Sequence, residues 1–310
     1  MKNFRSWGTK IRSLKDYNYQ AIWNNLVTMR IGGENDEIIE LPPDLSEFYD
    51  VGITTKCNLE CPFCYVSAGK GGEHYSNISE TWRNWMQQFP EERFKNVTRT
   101  LKPFQIAIGS VGEPTLSPEF TDFLQTVYET NVVPNYTTNG VILSDYDNPL
   151  CQKILEYTKE YVGGVAVSFG NVSVRILACR ALENLFKYGD CRVMIHHIIT
   201  GRESVNEFVK VAKIYGDDIH YHVLLPMMAS GRSHSGLHEG AFEYLEEQIL
   251  KNNIKNIAFG AHFFKYLENS KLNISVYPQE AYSKNILLKD NKVIITPSSF
   301  NLTPIKTIEL

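Results

Sequence analysis

The strongest constraint on the fold is a repeating alternation of element types. Runs rich in β-branched and aromatic residues stand at 50–55, 104–109, 132–137, 164–169, 193–200 and 219–225, and after the first they recur roughly every 30 residues, the length of one strand-plus-helix unit. Between them lie stretches of helical period at 79–89, 119–130, 149–161, 173–188 and 205–215. Ser117-Pro118-Glu119 reads as an N-cap, a proline at the first helical position and an acid in the first turn. Strand then helix, repeated, predicts a parallel sheet in an α/β domain. Parallel α/β sheets place their sites at the C-terminal ends of the strands, so the loops after these six runs are where functional residues belong.

Two regions flank the alternation. Residues 17–30 predict a helix, followed by the acidic, proline-containing stretch 35–47, so residues 1–49 form an N-terminal helical extension to a core at 50–235. Residues 236–310 form a C-terminal extension: a helix at 241–252, a short run IAFGAHFF, and the segment SKNILLKDNKVIITPSSF, which predicts a β-hairpin turning at Asp290-Asn291. With 43% hydrophobic and 21% charged residues among 310, the chain can bury a full core, which excludes disorder, collagen and coiled coil. Its longest nearly uncharged apolar stretches, such as 221–229, fall short of the ~20 residues a membrane helix needs. The first 20 residues lack the apolar segment of a secretory signal, so the expected compartment is the cytoplasm. Net charge is −4, and although Lys2, Arg5, Lys10, Arg12 and Lys15 crowd the start without an acid, that run reads as a solvated tail or helix face.

Chemistry concentrates in ITTKCNLECPFCYV, right after the first strand run. Cys57, Cys61 and Cys64 stand in C-x₃-C-x₂-C spacing, while Cys151, Cys179 and Cys191 are scattered. Clustered thiols in a reducing compartment point to metal. A structural zinc site needs a fourth ligand, which His74 in the following glycine-rich loop could supply. Three thiolates alone suit an iron-sulfur cluster with one iron left open. His196, His197, His220 and His222 lie in strand patterns and read as packed residues, and His234 and His238, spaced i, i+4 without a helical pattern, give no zinc motif.

The C-x₃-C-x-Φ-C pattern, with Phe63 as its aromatic, resembles the radical S-adenosylmethionine (radical SAM) superfamily, and the resemblance extends over residues 51–232. It implies a partial (β/α)6 TIM-like barrel. It also implies a [4Fe-4S] cluster held by Cys57, Cys61 and Cys64, and SAM as second cofactor, cleaved reductively to a radical that takes hydrogen from the substrate. Gly112-Glu113-Pro114, after the second strand run, resembles the turn that receives the SAM amino group, with Val111 a departure from the family pattern. The resemblance further implies a pocket role for Asn139, a ribose contact from Ser168 and an apolar adenine contact from Ile198, with Glu203 beyond it. A flavodoxin or ferredoxin-type protein is the implied electron donor.

The substrate is less legible. The C-terminal strand pattern resembles that of peptide-modifying relatives, yet no cysteine follows Cys191, so an auxiliary cluster is not expected. Arg232, in the loop HVLLPMMASGRSHSG, could bind a carboxylate or phosphate, or could be a surface loop arginine. The leading expectation is modification of a peptide or protein side chain. Alternatives are a small molecule, a nucleoside, nucleotide or RNA, for which the overall charge shows no basic field, and a non-catalytic iron-sulfur or zinc-binding module.

Overall fold

The computed structural model describes residues 6–24, 27–32, 40–272, 274 and 282–310. Lys2 and Arg5, the first part of the acidic stretch 35–47, and most of 277–282 lie outside the described residues. In chain order the elements are β1 (Thr9–Leu14), β2 (Tyr19–Asn24), β3 (Val27–Gly32), β4 (Phe48–Gly52), α1 (Ile78–Met86), β5 (Glu91–Phe94), β6 (Val97–Thr100), β7 (Gln105–Ile108), α2 (Phe120–Glu129), β8 (Val133–Thr138), α3 (Pro149–Tyr161), β9 (Gly164–Ser168), α4 (Arg175–Asn184), β10 (Arg192–Ile199), α5 (Arg202–Tyr215), β11 (Tyr221–Pro226), α6 (Ala241–Asn252), β12 (Ile257–Phe259), α7 (Phe264–Leu267), β13 (Ser283–Lys289), β14 (Lys292–Thr296) and β15 (Lys306–Glu309).

Two sheets result. The larger runs β12-β11-β10-β9-β8-β7-β4-β13-β14-β15, and every pair from β12 to β13 is parallel. The six strand runs expected from sequence are its centre. The run IAFGAHFF supplies a further parallel strand, β12, at one side. The hairpin at Asp290-Asn291 forms as expected, both turn residues at positive φ (54 and 60°). Its first strand lies parallel against β4, so the C-terminal extension is part of the main sheet. The sheet is open, with β12 and β15 at its two ends.

Helix faces follow their spacing. In α2, Phe120, Phe123, Leu124 and Val127 are buried at i, i+3, i+4 and i+7, and Phe123 meets Trp82 of α1 edge-on at 6.0 Å. Asn148 caps α3 by accepting from the Leu150 N–H at 2.9 Å, with Pro149 at the first helical position. The cap expected at Ser117 does not form: α2 begins at Phe120, after Glu119. Along β10, Val193, Ile195, His197 and Ile199 face the helices, His197 meeting Phe208 of α5 at 5.1 Å, whereas Arg192, Met194, His196 and Ile198 face the opposite way. His197 Nε2 and His222 Nδ1 lie 3.0 Å apart in this layer, so these histidines are packed and hydrogen-bonded.

The expected N-terminal helical extension is wrong. The described residues of 17–30 end a 3-10 turn and then form β2 and β3, because Tyr19, Ala21 and Trp23 are buried at period two and not at helical period. The order β3-β2-β1-β6-β5 brings in a hairpin from within the core region, β6 lying parallel to β1. Within the basic run, Lys15 is exposed as expected but Lys10 and Arg12 are not solvated, each being 1% exposed. Lys10 Nζ donates to the carbonyls of Phe104 (3.0 Å) and Asn131 (2.6 Å), and Arg12 to those of Leu101 (2.8 Å) and Lys102 (2.7 Å). These cations fasten the second sheet to backbone acceptors at the start of β7 and the end of α2. Burial pulls the Lys10 ammonium down to about 7.

Candidate active site

Four adjacent strands of the main sheet end in loops that meet. After β4 the chain enters the cysteine loop, which is pinned at both ends: Thr55 N–H donates to Glu73 O (3.0 Å) and Cys57 N–H to Gly69 O (3.0 Å). Cys64 N–H turns back to Cys61 O at 3.1 Å, which places Cys61 and Cys64 in one turn of chain. All three are partly exposed. Burial pushes the Cys57 thiol up to about 11 and raises that of Cys61.

The loop after β7 carries the Gly112-Glu113-Pro114 turn. Glu113 N–H donates to Lys56 O at 2.9 Å, binding the turn to the residue before Cys57. Gly112 is required by this approach, since a Cβ there would sit 2.3 Å from Thr54 O. The Glu113 carboxylate is 3% exposed and accepts four hydrogen bonds: at Oε1 from Thr115 Oγ1 (2.6 Å), Thr138 Oγ1 (2.8 Å) and Thr115 N–H (3.3 Å), and at Oε2 from Asn139 N–H (2.7 Å). Burial raises its pKa against the pull of those donors. The carboxylate thus joins the ends of β7 and β8. Pro114 is buried and Gly112 is the partly exposed residue of the turn.

Asn139, after β8, continues the chain of contacts. Its Oδ1 accepts from Val141 N–H (3.0 Å), and its Nδ2 donates to Asn58 Oδ1 (2.7 Å) and lies 3.8 Å from Cys57 Sγ, which also receives Leu59 N–H at 3.4 Å. After β9, Asn171 Nδ2 donates to Cys61 Sγ at 3.2 Å. Ser168, at the end of β9, is paired in register with His196 of β10. A Cβ added to Gly170 would lie 2.8 Å from Ile198 Cγ1 and 3.0 Å from Phe63 Cζ, so Phe63 and Ile198 come together over Gly170. The structure therefore brings Phe63, Gly112, Glu113, Pro114, Asn139 and Ile198 around the cysteine loop, with Ser168 at the neighbouring strand end.

Arg232 does something other than either role its sequence suggests. Its Nε donates to Cys61 O (2.9 Å), Nη2 to Ala68 O (2.7 Å) and its backbone N–H to Cys64 O (3.0 Å). It clamps the cysteine loop to the loop after β11. Gly231, at φ +61°, makes the approach possible, because a Cβ would come within 2.3 Å of Cys64 O. Tyr65 closes the other flank, donating to Ser110 O (2.8 Å) and packing at 4.4 Å, tilted by 41°, against Phe300, which in turn meets His262 edge-on at 4.5 Å. Sequence reading missed Asn171, Phe300 and the clamp. An Asn-x-Ser directly after a strand run was the available signal for Asn171.

The three partly exposed thiols are the candidate ligands for a metal centre. Among the described residues, no three His, Cys, Asp or Glu side chains converge on a single-ion position. His74 is paired with Thr54, Nδ1 to Oγ1 at 3.0 Å, across a short antiparallel bridge. Amide donors at Cys57 and Cys61 suit sulfurs that stay anionic in a cluster.

No protein-family model matches the chain. Over 193 residues it is 28% identical to the mycofactocin maturase MftC of Mycobacterium tuberculosis, a match covering 58% of this chain and 44% of that protein. Over 95 residues it is 27% identical to the tungsten-containing aldehyde ferredoxin oxidoreductase cofactor-modifying protein of Pyrococcus furiosus, covering 30% and 24%. The chain thus spans less than half the length of these curated relatives. In fold it is similar to Streptococcus suis SuiB, solved with S-adenosylmethionine (TM-score 0.57, 16% identity, 82% of this chain and 60% of SuiB) and with its precursor peptide SuiA (TM-score 0.58, 15% identity, 83% and 60%). In sequence and fold the chain is thus similar to enzymes of the radical SAM superfamily, the family its cysteine spacing resembles.

Proposed function

We propose that this chain holds a [4Fe-4S] cluster through Cys57, Cys61 and Cys64, binds SAM beside it, and uses the pair to take a hydrogen atom from a peptide or protein side chain. The observation that carries this reading is the convergence of three strand-end loops on one thiol-bearing loop, with amide N–H groups at two of its sulfurs. The bound cofactors supply reductive cleavage of SAM to methionine and a deoxyadenosyl radical, with the electron delivered by a flavodoxin or ferredoxin-type protein. The protein's part is to bind, orient and exclude water. The partly exposed turn at Gly112 offers backbone acceptors to the SAM ammonium, while Glu113 holds the turn in shape from beneath. Asn139 and Ser168 provide polar contacts for the ribose, and Phe63 and Ile198 an apolar wall for the adenine. Peptide substrates are favoured by the SuiB structure with its precursor peptide and by the maturase MftC. The sequence has no cysteine after Cys191, so the proposal uses one cluster.

Anaerobic reconstitution tests the reading: about four irons per chain, and 5′-deoxyadenosine formed from SAM under dithionite. Iron near eight per chain, a cluster retained after replacement of all three cysteines by alanine, or no deoxyadenosine together with no SAM-induced change in the EPR signal would refute it. Candidate peptides should raise deoxyadenosine yield and change in mass. Stimulation by RNA or nucleotides in their place would overturn the peptide assignment.

A further inference from the structure

We infer that Asn171 sets the reduction potential of the cluster through its hydrogen bond to Cys61, an inference that rests on the cluster reading above. Asn171 follows β9, on a different strand end from the cysteines, and its Nδ2 reaches Cys61 Sγ at 3.2 Å, inside the normal range for N–H to sulfur. The side chain is not free to turn over. Its Oδ1 accepts from Ser173 N–H at 3.0 Å and from Ser173 Oγ at 2.6 Å, a local turn that fixes the oxygen and leaves the NH₂ facing the sulfur. Two bonds therefore spend the acceptor, and the donor has the thiol as its partner.

An N–H aimed at a thiolate stabilises negative charge on that sulfur. The reduced cluster carries one more electron than the oxidised one, so the bond stabilises the reduced state more and raises the potential. Cys57 has a comparable arrangement built from different parts, Leu59 N–H at 3.4 Å and the longer Asn139 approach at 3.8 Å, so among the described residues Asn171 makes the shorter of the two side-chain approaches to these thiols. Its place is also separable from the rest of the site. The Asn139 amide engages Asn58 and the Glu113 network, whereas Asn171 touches the cysteine loop through this one bond and is otherwise tied to its own turn.

Asn171→Ala removes the N–H without adding a charge; Asn171→Ser is too short to reach the sulfur yet can still accept from the backbone two residues on. In both, reconstituted protein without SAM should hold the wild-type iron content and show a more negative midpoint in an EPR-monitored redox titration. A reduced-to-oxidised ratio about threefold to tenfold lower at a fixed poise is expected, tenfold being about 59 mV for a one-electron couple. A Ser173→Ala control, which retains the backbone half of the turn, should shift the midpoint less than either. Full iron content with an unchanged midpoint in both variants would overturn the inference. So would loss of iron in both while the apo-protein melts as wild type, since the amide would then be holding Cys61 in place and not tuning it. Wild-type protein that takes up no cluster would instead defeat the cluster reading, and this inference with it.

Discussion

Glu113→Gln isolates how much of the site depends on one buried carboxylate. Glu113 Oε1 faces three donors and Oε2 one, the Asn139 N–H at 2.7 Å. The glutamine oxygen does best at the three-donor end, which turns its NH₂ toward the Asn139 N–H, donor against donor. One charge-assisted bond of about 1.5 to 3 kcal/mol is lost, and a buried N–H is stranded at a further ~1 to 3 kcal/mol. Relief of the buried negative charge, whose cost shows in the raised pKa, offsets part of this. The expected net loss is about 2 to 4 kcal/mol of apo-protein stability, read as a lower urea midpoint at unchanged slope. Hydrogen exchange should quicken first at the Asn139 amide, where the strands β7 and β8 are joined. The reconstituted variant should still carry its iron, since Glu113 meets the cysteine loop through its backbone N–H. A variant within about 0.5 kcal/mol of wild type would refute the structural role and leave the carboxylate as a ligand group only.

Two further outcomes follow from other contacts. Arg232→Met removes two side-chain bonds to carbonyls of the cysteine loop, worth roughly 2 to 3 kcal/mol together in this half-exposed position, and should speed loss of iron to a chelator several-fold with little change in the apo-protein melt; equal chelation rates would show the clamp to be idle. Burial holds His222 down to about 4 and pushes His197 well below its ordinary value, so below pH 6.5 the unfolded chain binds protons that the folded chain refuses, and stability should fall as pH drops toward 4, by about 1 kcal/mol at pH 5.5 from His222. Urea midpoints at pH 7.5 and 5.5 measure this, and a His222→Gln protein with the same acid loss as wild type would rule the pair out as its source.

The central sheet was readable because each strand is followed by a helix whose apolar residues recur at i, i+3 and i+4, as in α2, and that pattern survives without tertiary information. Residues 17–30 misled because QAIWNNLVTMRI supports either period; burial of Tyr19, Ala21 and Trp23 decides it, and burial depends on what packs above. The hairpin of β5 and β6 is short and largely polar, with Lys95 at positive φ in its turn, and its partner β1 is remote in sequence. In the site, spacing singled out the three cysteines and the family resemblance singled out the Gly112-Glu113-Pro114 turn, which the structure places beside their loop. Arg232 was not, because a guanidinium that binds backbone carbonyls leaves no complementary charge in the sequence to pair it with.

The parallel pairing of β13 with β4 sets an order of events during synthesis. Asp50 is in register with Asn285, so on one side the strand that leads into the cysteines stays without its neighbour until roughly 235 more residues have been made, about 10 to 50 s at ~5 to 20 residues per second. The clamp from Gly231 and Arg232 also arrives late. A nascent chain on the ribosome therefore presents its three thiols on an unbraced loop beside an open strand edge, the period in which oxidation or mispairing does the most harm.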